Sequence, residues 1–378
     1  MDVSVRAARP VTRVTGGKAL TKGLPAAAGV LAGAAISLTG LAFDAQWHSD
    51  VGPDTFFTLP HLVLYSGTAI SGLISLFVVL ATTFAARGGQ IADPAVGGRP
   101  VGVLGRRFTA PLGYLTTGLG AAAFLLYGLW DLWWHSLYGF DAVLESPPHI
   151  GLLLSISVSM MGALMVCAAA GRRRWAVIGQ FVGGALLVAF NAVITLGLAP
   201  LNGLVNAVSV GVAFLASLVL LTVASSTGRA GAVLSTSVVM TVLQLALWFF
   251  APWAARVYAG SIGLPMRDNL YGAPTLPGLM PMGIVVTGLA VEGLLLLARR
   301  HAWPASRAAA GAGGLGAVLV VLLIPVQEAV TGGAATPGAA QLAVTGAVAA
   351  VVGGLGGALG HRLGLLLANI SRGSEVTR

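Results

Sequence analysis

The chain has 378 residues, of which 56% are apolar and only 9% are charged. Soluble domains carry about a quarter charged residues, so this composition excludes a water-soluble globule and predicts a polytopic membrane protein. The formal net charge of +9 does not by itself indicate nucleic-acid binding, because the positions of the basic residues explain it.

Residues 1–22 are basic and lack an apolar core, which predicts a cytoplasmic tail rather than a cleaved signal peptide. A membrane-spanning helix needs about 20 mostly apolar residues. Charge-free windows of this kind recur from residue 23 to residue 361, and the longest, 175–228, is divided into two helices by a turn at Pro200. The sequence therefore predicts an all-α, polytopic membrane helix bundle with ten transmembrane helices, near 24–46, 61–85, 109–135, 149–170, 175–196, 203–224, 231–254, 281–298, 308–329 and 338–360.

The basic residues predict the orientation, because Lys and Arg concentrate in cytoplasmic segments. If the N-terminus is cytoplasmic, ten helices place every Lys and Arg except Arg256 and Arg267 on the cytoplasmic side. We therefore expect one transmembrane domain over 23–370, both termini in the cytoplasm, and a second short tail at 371–378. The Ala, Gly and Arg bias indicates a bacterial cell membrane. The expected partner is the lipid bilayer, and nucleic acid is not expected to bind. The sequence does not decide whether partner subunits or a homo-oligomer are present.

An internal repeat lies in the first half of the chain. Residues 43–61 read FDAQWHSDVGPDTFFTLPH, and residues 130–149 read WDLWWHSLYGFDAVLESPPH. Both segments contain Asp, Trp-His-Ser, Gly, Asp and Pro-His in the same order. They fall in two predicted helical hairpins, 24–85 and 109–170, and we interpret 175–360 as degenerate copies of the same hairpin.

The repeated residues are those that bind metals. Asp44 and His48 are four residues apart and share a helix face, and Pro60 suits the first turn of the next helix and places His61 at its start. The first hairpin is thus predicted to bring these three ligands together near the extracytoplasmic face. The second hairpin repeats the set with Asp131, His135 and His149. Two imidazoles and one carboxylate with open coordination positions suit zinc, iron or copper.

The alternative is that these residues only decorate helix ends at the membrane interface. We favour metal binding, because ionisable groups at membrane depth are costly and the pattern occurs twice. Asp54 and Asp141 are interpreted either as partners of a ligand imidazole or as solvated loop residues. We also expect an aromatic belt at the membrane interface, made of Trp47, Trp130, Trp133, Trp134 and Tyr138. The two remaining histidines, His301 and His361, are expected to be solvated on the cytoplasmic side.

The ligand spacing resembles the C subunit of the copper-containing membrane monooxygenases, which act on methane or ammonia. That subunit carries Asp-x3-His-x12-His and Asn-x3-His-x13-His, and this chain carries Asp44-x3-His48-x12-His61 and Asp131-x3-His135-x13-His149. The resemblance covers roughly residues 24–170. It implies a copper site in each hairpin, with Asp131 in place of the family's Asn. This chain also has more predicted helices than we expect of that subunit.

The function predicted first is a copper-dependent, monooxygenase-like oxidoreductase that acts on a small apolar substrate with O2. A non-enzymatic copper-binding, delivery or accessory protein is the first alternative, and a metal transporter is the second. A zinc-dependent hydrolase also fits the ligands. No catalytic residue beyond the ligands is predicted. Glu292, inside a predicted helix, and Glu328, at an outer helix end, have no assigned role.

Overall fold

The computed structural model describes residues 23–52, 54–139, 146–268, 272–332 and 337–370. In these residues, ten helical segments are long and apolar enough to cross a membrane, so the predicted number of helices is confirmed. A 3-10 turn, Thr195–Leu201, extends the helix Arg174–Ile194, and the two helices Thr275–Leu279 and Ile284–Arg300 together form one segment. The helices are α1 (Leu24–Asp50), α2 (Leu59–Arg87), α3 (Leu112–Tyr138), α4 (Pro147–Ala169), α5 (Arg174–Ile194), α6 (Ala207–Thr227), α7 (Ala232–Ser261), α8 (Thr275–Leu279), α9 (Ile284–Arg300), α10 (Ala305–Thr331) and α11 (Ala339–Ala368).

A small antiparallel sheet, which the sequence did not predict, lies between α2 and α3. Its strands are β1 (Pro100–Val103) and β2 (Phe108–Pro111), with Val103 opposite Phe108. The turn between them passes through Gly105 at a φ of 65°, a left-handed conformation that glycine adopts without strain. Because β2 occupies 108–111, α3 begins at Leu112 and not at the predicted 109.

Small residues set the distance between the helices of the first hairpin. At Gly33 and Gly67, and again at Gly40, a methyl group would overlap the backbone of the facing helix. Close approach of this kind is the usual role of small residues in membrane helices. The crossing at Gly40 lies against Leu64. It is therefore about one helical turn from both Asp44 and His61.

Glu292 has a structural role. It is buried in α9, and its carboxylate accepts the backbone N–H groups of Gly231 at 2.7 Å and Val233 at 3.1 Å. These groups lie at the start of α7, where the first N–H groups of a helix have no partner within the helix. A carboxylate there is also favoured by the helix dipole. Glu292 therefore caps α7.

The connection from α7 to α8 lies over the end of α1. The backbone N–H of Arg267 donates to the carbonyl of Asp50 at 2.7 Å, and that of Thr275 donates to Oε1 of Gln46 at 2.9 Å. The Gln46 amide also donates to the Asp50 carboxylate at 2.8 Å. We call this end of the bundle, where α1 and α3 end and α2 and α4 begin, the donor end.

Candidate metal centre

The first hairpin brings four potential metal ligands together. Nε2 of His61 lies 3.2 Å from Oδ1 of Asp44 and 3.4 Å from Oδ2 of Asp54. Nε2 of His48 lies 3.8 Å and 3.6 Å from the same two oxygens. All four donor atoms lie within 4.8 Å of one another, so one ion could contact them all.

Local structure explains this convergence. α1 continues through Asp44 and His48 to Asp50, which keeps both side chains on one helix face. Nδ1 of His61 lies 3.0 Å from the carbonyl of Thr55. Because a carbonyl oxygen only accepts hydrogen bonds, this contact requires a proton on Nδ1, and in the neutral ring the lone pair is then on Nε2, which faces the carboxylates.

Asp54 is the donor that sequence reasoning placed outside the ligand set. Its carboxylate is 2% exposed and faces both histidines. The turn before α2 holds it there, since the Thr58 hydroxyl accepts the N–H of Thr55 at 2.7 Å and donates back to its carbonyl at 2.7 Å. The repeat contained the signal, because Asp54 is one of the matched positions. Its match, Asp141, lies outside the described residues.

The second hairpin assembles Asp131, His135 and His149. Oδ1 of Asp131 lies 3.4 Å from Nε2 of His135 and 3.3 Å from Nε2 of His149, and the two nitrogens are 3.5 Å apart. Nδ1 of His135 lies 2.8 Å from the carbonyl of Gly139. Gly139 has a φ of 84°, a left-handed conformation, and directs that carbonyl back toward the helix it follows. Each hairpin thus orients one histidine through a backbone carbonyl.

The donor geometry fits metal ions. Ligands held at about 2.0–2.1 Å in a tetrahedral arrangement lie about 3.4 Å apart, close to the separations in both groups. Oδ1 of Asp44, Oδ2 of Asp54 and Oδ1 of Asp131 are buried and face imidazole nitrogens, but among the described residues they accept no hydrogen bond of good geometry. Buried acceptors without donors are rare and costly, and a bound cation would satisfy all three.

Both groups line one cavity of about 590 Å³. On the far side of the ligands from the donor end, its wall is mostly apolar. The first four helices contribute Leu41, Leu64, Tyr65, Phe124, Leu152, Leu153 and Ile156, of which Tyr65 carries a hydroxyl. Toward the donor end, the lining includes Ser49, Gly52, Arg267 and Thr275. Any molecule in this cavity would contact both groups of ligands.

Other predicted residues lie apart from this cavity. Trp47 is 1% exposed and packs 4.9 Å from the ring of Tyr258, so its assignment to an aromatic belt was wrong: α7 covers that face of α1. His361 is half-buried, and its Nδ1 lies 2.9 Å from the hydroxyl of Ser225, so it is not a fully solvated residue. Glu328 is not among the residues that line the cavity.

Of the other predicted belt residues, Trp134 is half-buried and the remaining three are exposed, as is His301. Trp130, Trp133 and Tyr138 are exposed on the surface of α3, as an interfacial position requires, and His301 is exposed just after α9.

Comparisons of the chain with protein-family models, curated proteins and solved structures find no match.

Proposed function

We propose that this chain is a membrane metalloprotein that holds one metal ion in each of its first two hairpins. The observation that carries the proposal is the convergence of four imidazole nitrogens and three carboxylates, each with a buried oxygen, on two points in one cavity. The charge distribution supports an extracytoplasmic position for the donor end. The similar placement of the ligands in both hairpins also supports the interpretation of these segments as repeats.

We further propose that the ions are copper and that the protein oxidises an apolar substrate with dioxygen. The resemblance in ligand spacing to the membrane monooxygenases supports copper, and the apolar wall beside the ligands supports the substrate class. A bound copper ion would supply the electron exchange that dioxygen chemistry requires. The net reaction puts one oxygen atom into the substrate and releases the other as water, with two electrons and two protons from an external reductant.

The protein residues contribute orientation and exclusion of water. The carbonyls of Thr55 and Gly139 fix the rings of His61 and His135, which keeps each Nε2 directed at its group. Phe124 and Ile156 form the part of the cavity wall furthest along the helices from the ligands. An apolar molecule held there would be shielded from bulk water.

The first group also supports a different metal. Asp54 gives it two carboxylates beside two imidazoles, and oxygen-rich donor sets of this kind suit Fe(II) or Zn(II). Zinc would shift the chemistry from oxidation to hydrolysis, since zinc lowers the pKa of bound water to about 7.

A transport function has less support. Beyond the ligands, the residues of the first four helices that line the cavity are apolar apart from Tyr65. Gln180 and Gln244, which could have formed a polar path, are engaged in structural hydrogen bonds: Gln180 with Ser226, and Gln244 with the carbonyls of Pro277 and Met280.

Oxygen consumption tests the catalytic part of the proposal. Copper-loaded protein in lipid nanodiscs, given a quinol as reductant, should consume O2 faster when an apolar substrate such as decane is added, and should form the alcohol. Zinc-loaded protein and His135→Ala should not, whereas His301→Ala should behave as wild type because His301 is exposed and outside the cavity. Copper-loaded protein without substrate-dependent O2 uptake would contradict the monooxygenase proposal.

A further inference from the structure

The size and two-part lining of the cavity define the molecule it accepts. Its volume of about 590 Å³ lies in the range of about 300–1,000 Å³ that accommodates drug-sized ligands. A molecule of only a few atoms would leave most of this space empty. The cavity therefore suits a larger occupant than the small apolar substrate that the sequence predicted.

The apolar part of the cavity extends along the helices away from the ligands. Phe124 precedes Asp131 by seven residues in α3, and Ile156 follows His149 by seven residues in α4. At a rise of 1.5 Å per residue, the apolar wall extends about 10 Å beyond the ligands. Leu41 and Leu64 continue it on the first hairpin. This shape suits an extended hydrocarbon chain.

Arg267 gives the polar part of the cavity a fixed cation. Its backbone N–H is bonded to the carbonyl of Asp50, and its guanidinium packs on Gly52, where an added Cβ would lie 3.2 Å from Nη2. The side chain is exposed and lines the cavity, and none of the ion pairs among the described residues includes it. The planar guanidinium matches carboxylate and phosphate groups.

The formal charges in the cavity also favour an anion. Three carboxylates line it, from Asp44, Asp54 and Asp131. Two divalent ions together with Arg267 would outweigh them and leave a positive balance. The preference for an anion rests on the proposed function, because without bound metal the carboxylates would repel an anion.

We infer that the cavity binds a single-chain amphiphile, whose carboxylate or phosphate head pairs with Arg267 beside the ligands and whose hydrocarbon chain lies along the wall toward Phe124 and Ile156. The donor end thus recognises the head, and the apolar wall recognises the chain. Two sources of the head group, a fatty acid and an alkyl phosphate, share this chemistry.

Binding of matched probes to metal-loaded protein tests the inference. The protein is placed in nanodiscs of zwitterionic lipid, and binding to empty nanodiscs is subtracted. Decanoate and decyl phosphate carry head and chain, decanol carries the same chain with a neutral head, and acetate carries a head alone. We expect at least one of the anionic decyl probes to bind about tenfold more tightly than decanol, and acetate to bind most weakly.

Two arginine variants separate recognition from nonspecific charge. Arg267→Gln should bind the anionic probes no better than decanol while retaining decanol binding. Arg256→Gln should match wild type, because Arg256 is also exposed but is not among the residues that line the cavity. A larger effect of Arg267→Gln on decanoate supports a fatty acid, and a larger effect on decyl phosphate supports an alkyl phosphate.

Metal content measured on the same samples separates the two proposals. If metal is bound but decanoate, decyl phosphate and decanol bind equally, or if Arg267→Gln matches wild type, the inference is overturned and the proposed function stands. If no variant, including wild type, binds metal, the proposed function fails and the inference fails with it.

Discussion

Asp54 lies in the connection between α1 and α2, yet its carboxylate is buried against two histidines. The turn formed by Thr55 and Thr58 directs it there. In the same hairpin, Asp50 is also buried, but its carboxylate accepts from the amide of Gln46 and does not belong to the donor group. These two aspartates therefore provide a matched pair for testing which carboxylates bind the metal.

Asp54→Asn should lower the metal affinity of the first hairpin by about tenfold or more, because an anionic ligand becomes a neutral amide. Asp50→Asn should leave the affinity unchanged. Titration with metal, followed by equilibrium dialysis, measures both. If the two variants lose equal affinity, the effect is structural and Asp54 is not a ligand.

At the level of single residues, the sequence predicted the parts of the site that local periodicity determines. Asp44 and His48 follow from helical spacing, and His61 follows from the proline before it. The inward position of Asp54 depends on side-chain hydrogen bonds in a turn, which spacing does not encode. The burial of Trp47 depends on α7, a helix about 200 residues later in the chain.

The helix crossing at Gly40 links packing to the site. Gly40 precedes Asp44 by four residues, and Leu64, which it contacts, follows His61 by three. A side chain at Gly40 would overlap the Leu64 backbone and separate α1 from α2. The distance between Asp44 and His61 therefore depends on this glycine.

Gly40→Ala should weaken metal binding in the first hairpin and lower the midpoint of thermal unfolding, at a cost of about 1–3 kcal/mol for overpacking. Gly293→Ala is the control, since Gly293 is an exposed helical residue with nothing within 4 Å of an added Cβ. Metal titration and thermal unfolding in detergent measure the two effects. A Gly40→Ala variant indistinguishable from Gly293→Ala would contradict the role of this crossing.

Glu292 acts on another element, the start of α7. Glu292→Ala should destabilise the protein by about 2–4 kcal/mol, because two backbone N–H groups lose their acceptor. Glu292→Gln should recover part of the loss, since an amide oxygen still accepts. Thermal unfolding measures the change, and metal content should stay at the wild-type level. A loss of metal without a loss of stability would instead indicate a functional role for Glu292.

At the level of elements, hydropathy predicted the number of helices because each span needs about 20 apolar residues. It did not predict their ends. α7 continues past Pro252 to Ser261. α8 is separated from α9 by a break at which the side-chain amides of Gln244 and Gln327 both donate to the carbonyl of Met280. Such polar contacts between helices are not visible in the composition of either helix.

The closest helix packing and the candidate metal site lie in two different regions of the molecule. α6, α10 and α11 pack closely through glycines such as Gly313, Gly357 and Gly360, away from the cavity. Among the described residues, the first two hairpins supply all the candidate metal ligands, and the end of α5 and the α7–α8 connection complete the cavity wall around them. The second half of the chain therefore shapes the cavity and does not supply ligands among the described residues.

The measurement that tests this account most directly is elemental analysis of the purified protein for copper, iron and zinc. We predict two equivalents of metal in wild type, one in His48→Ala, one in His135→Ala, and two in the control His301→Ala. The identity of the bound metal decides between copper and the alternatives, iron and zinc. Wild-type protein without metal above background, or a content that neither cavity variant changes, would contradict the central claim that the two hairpins form metal sites.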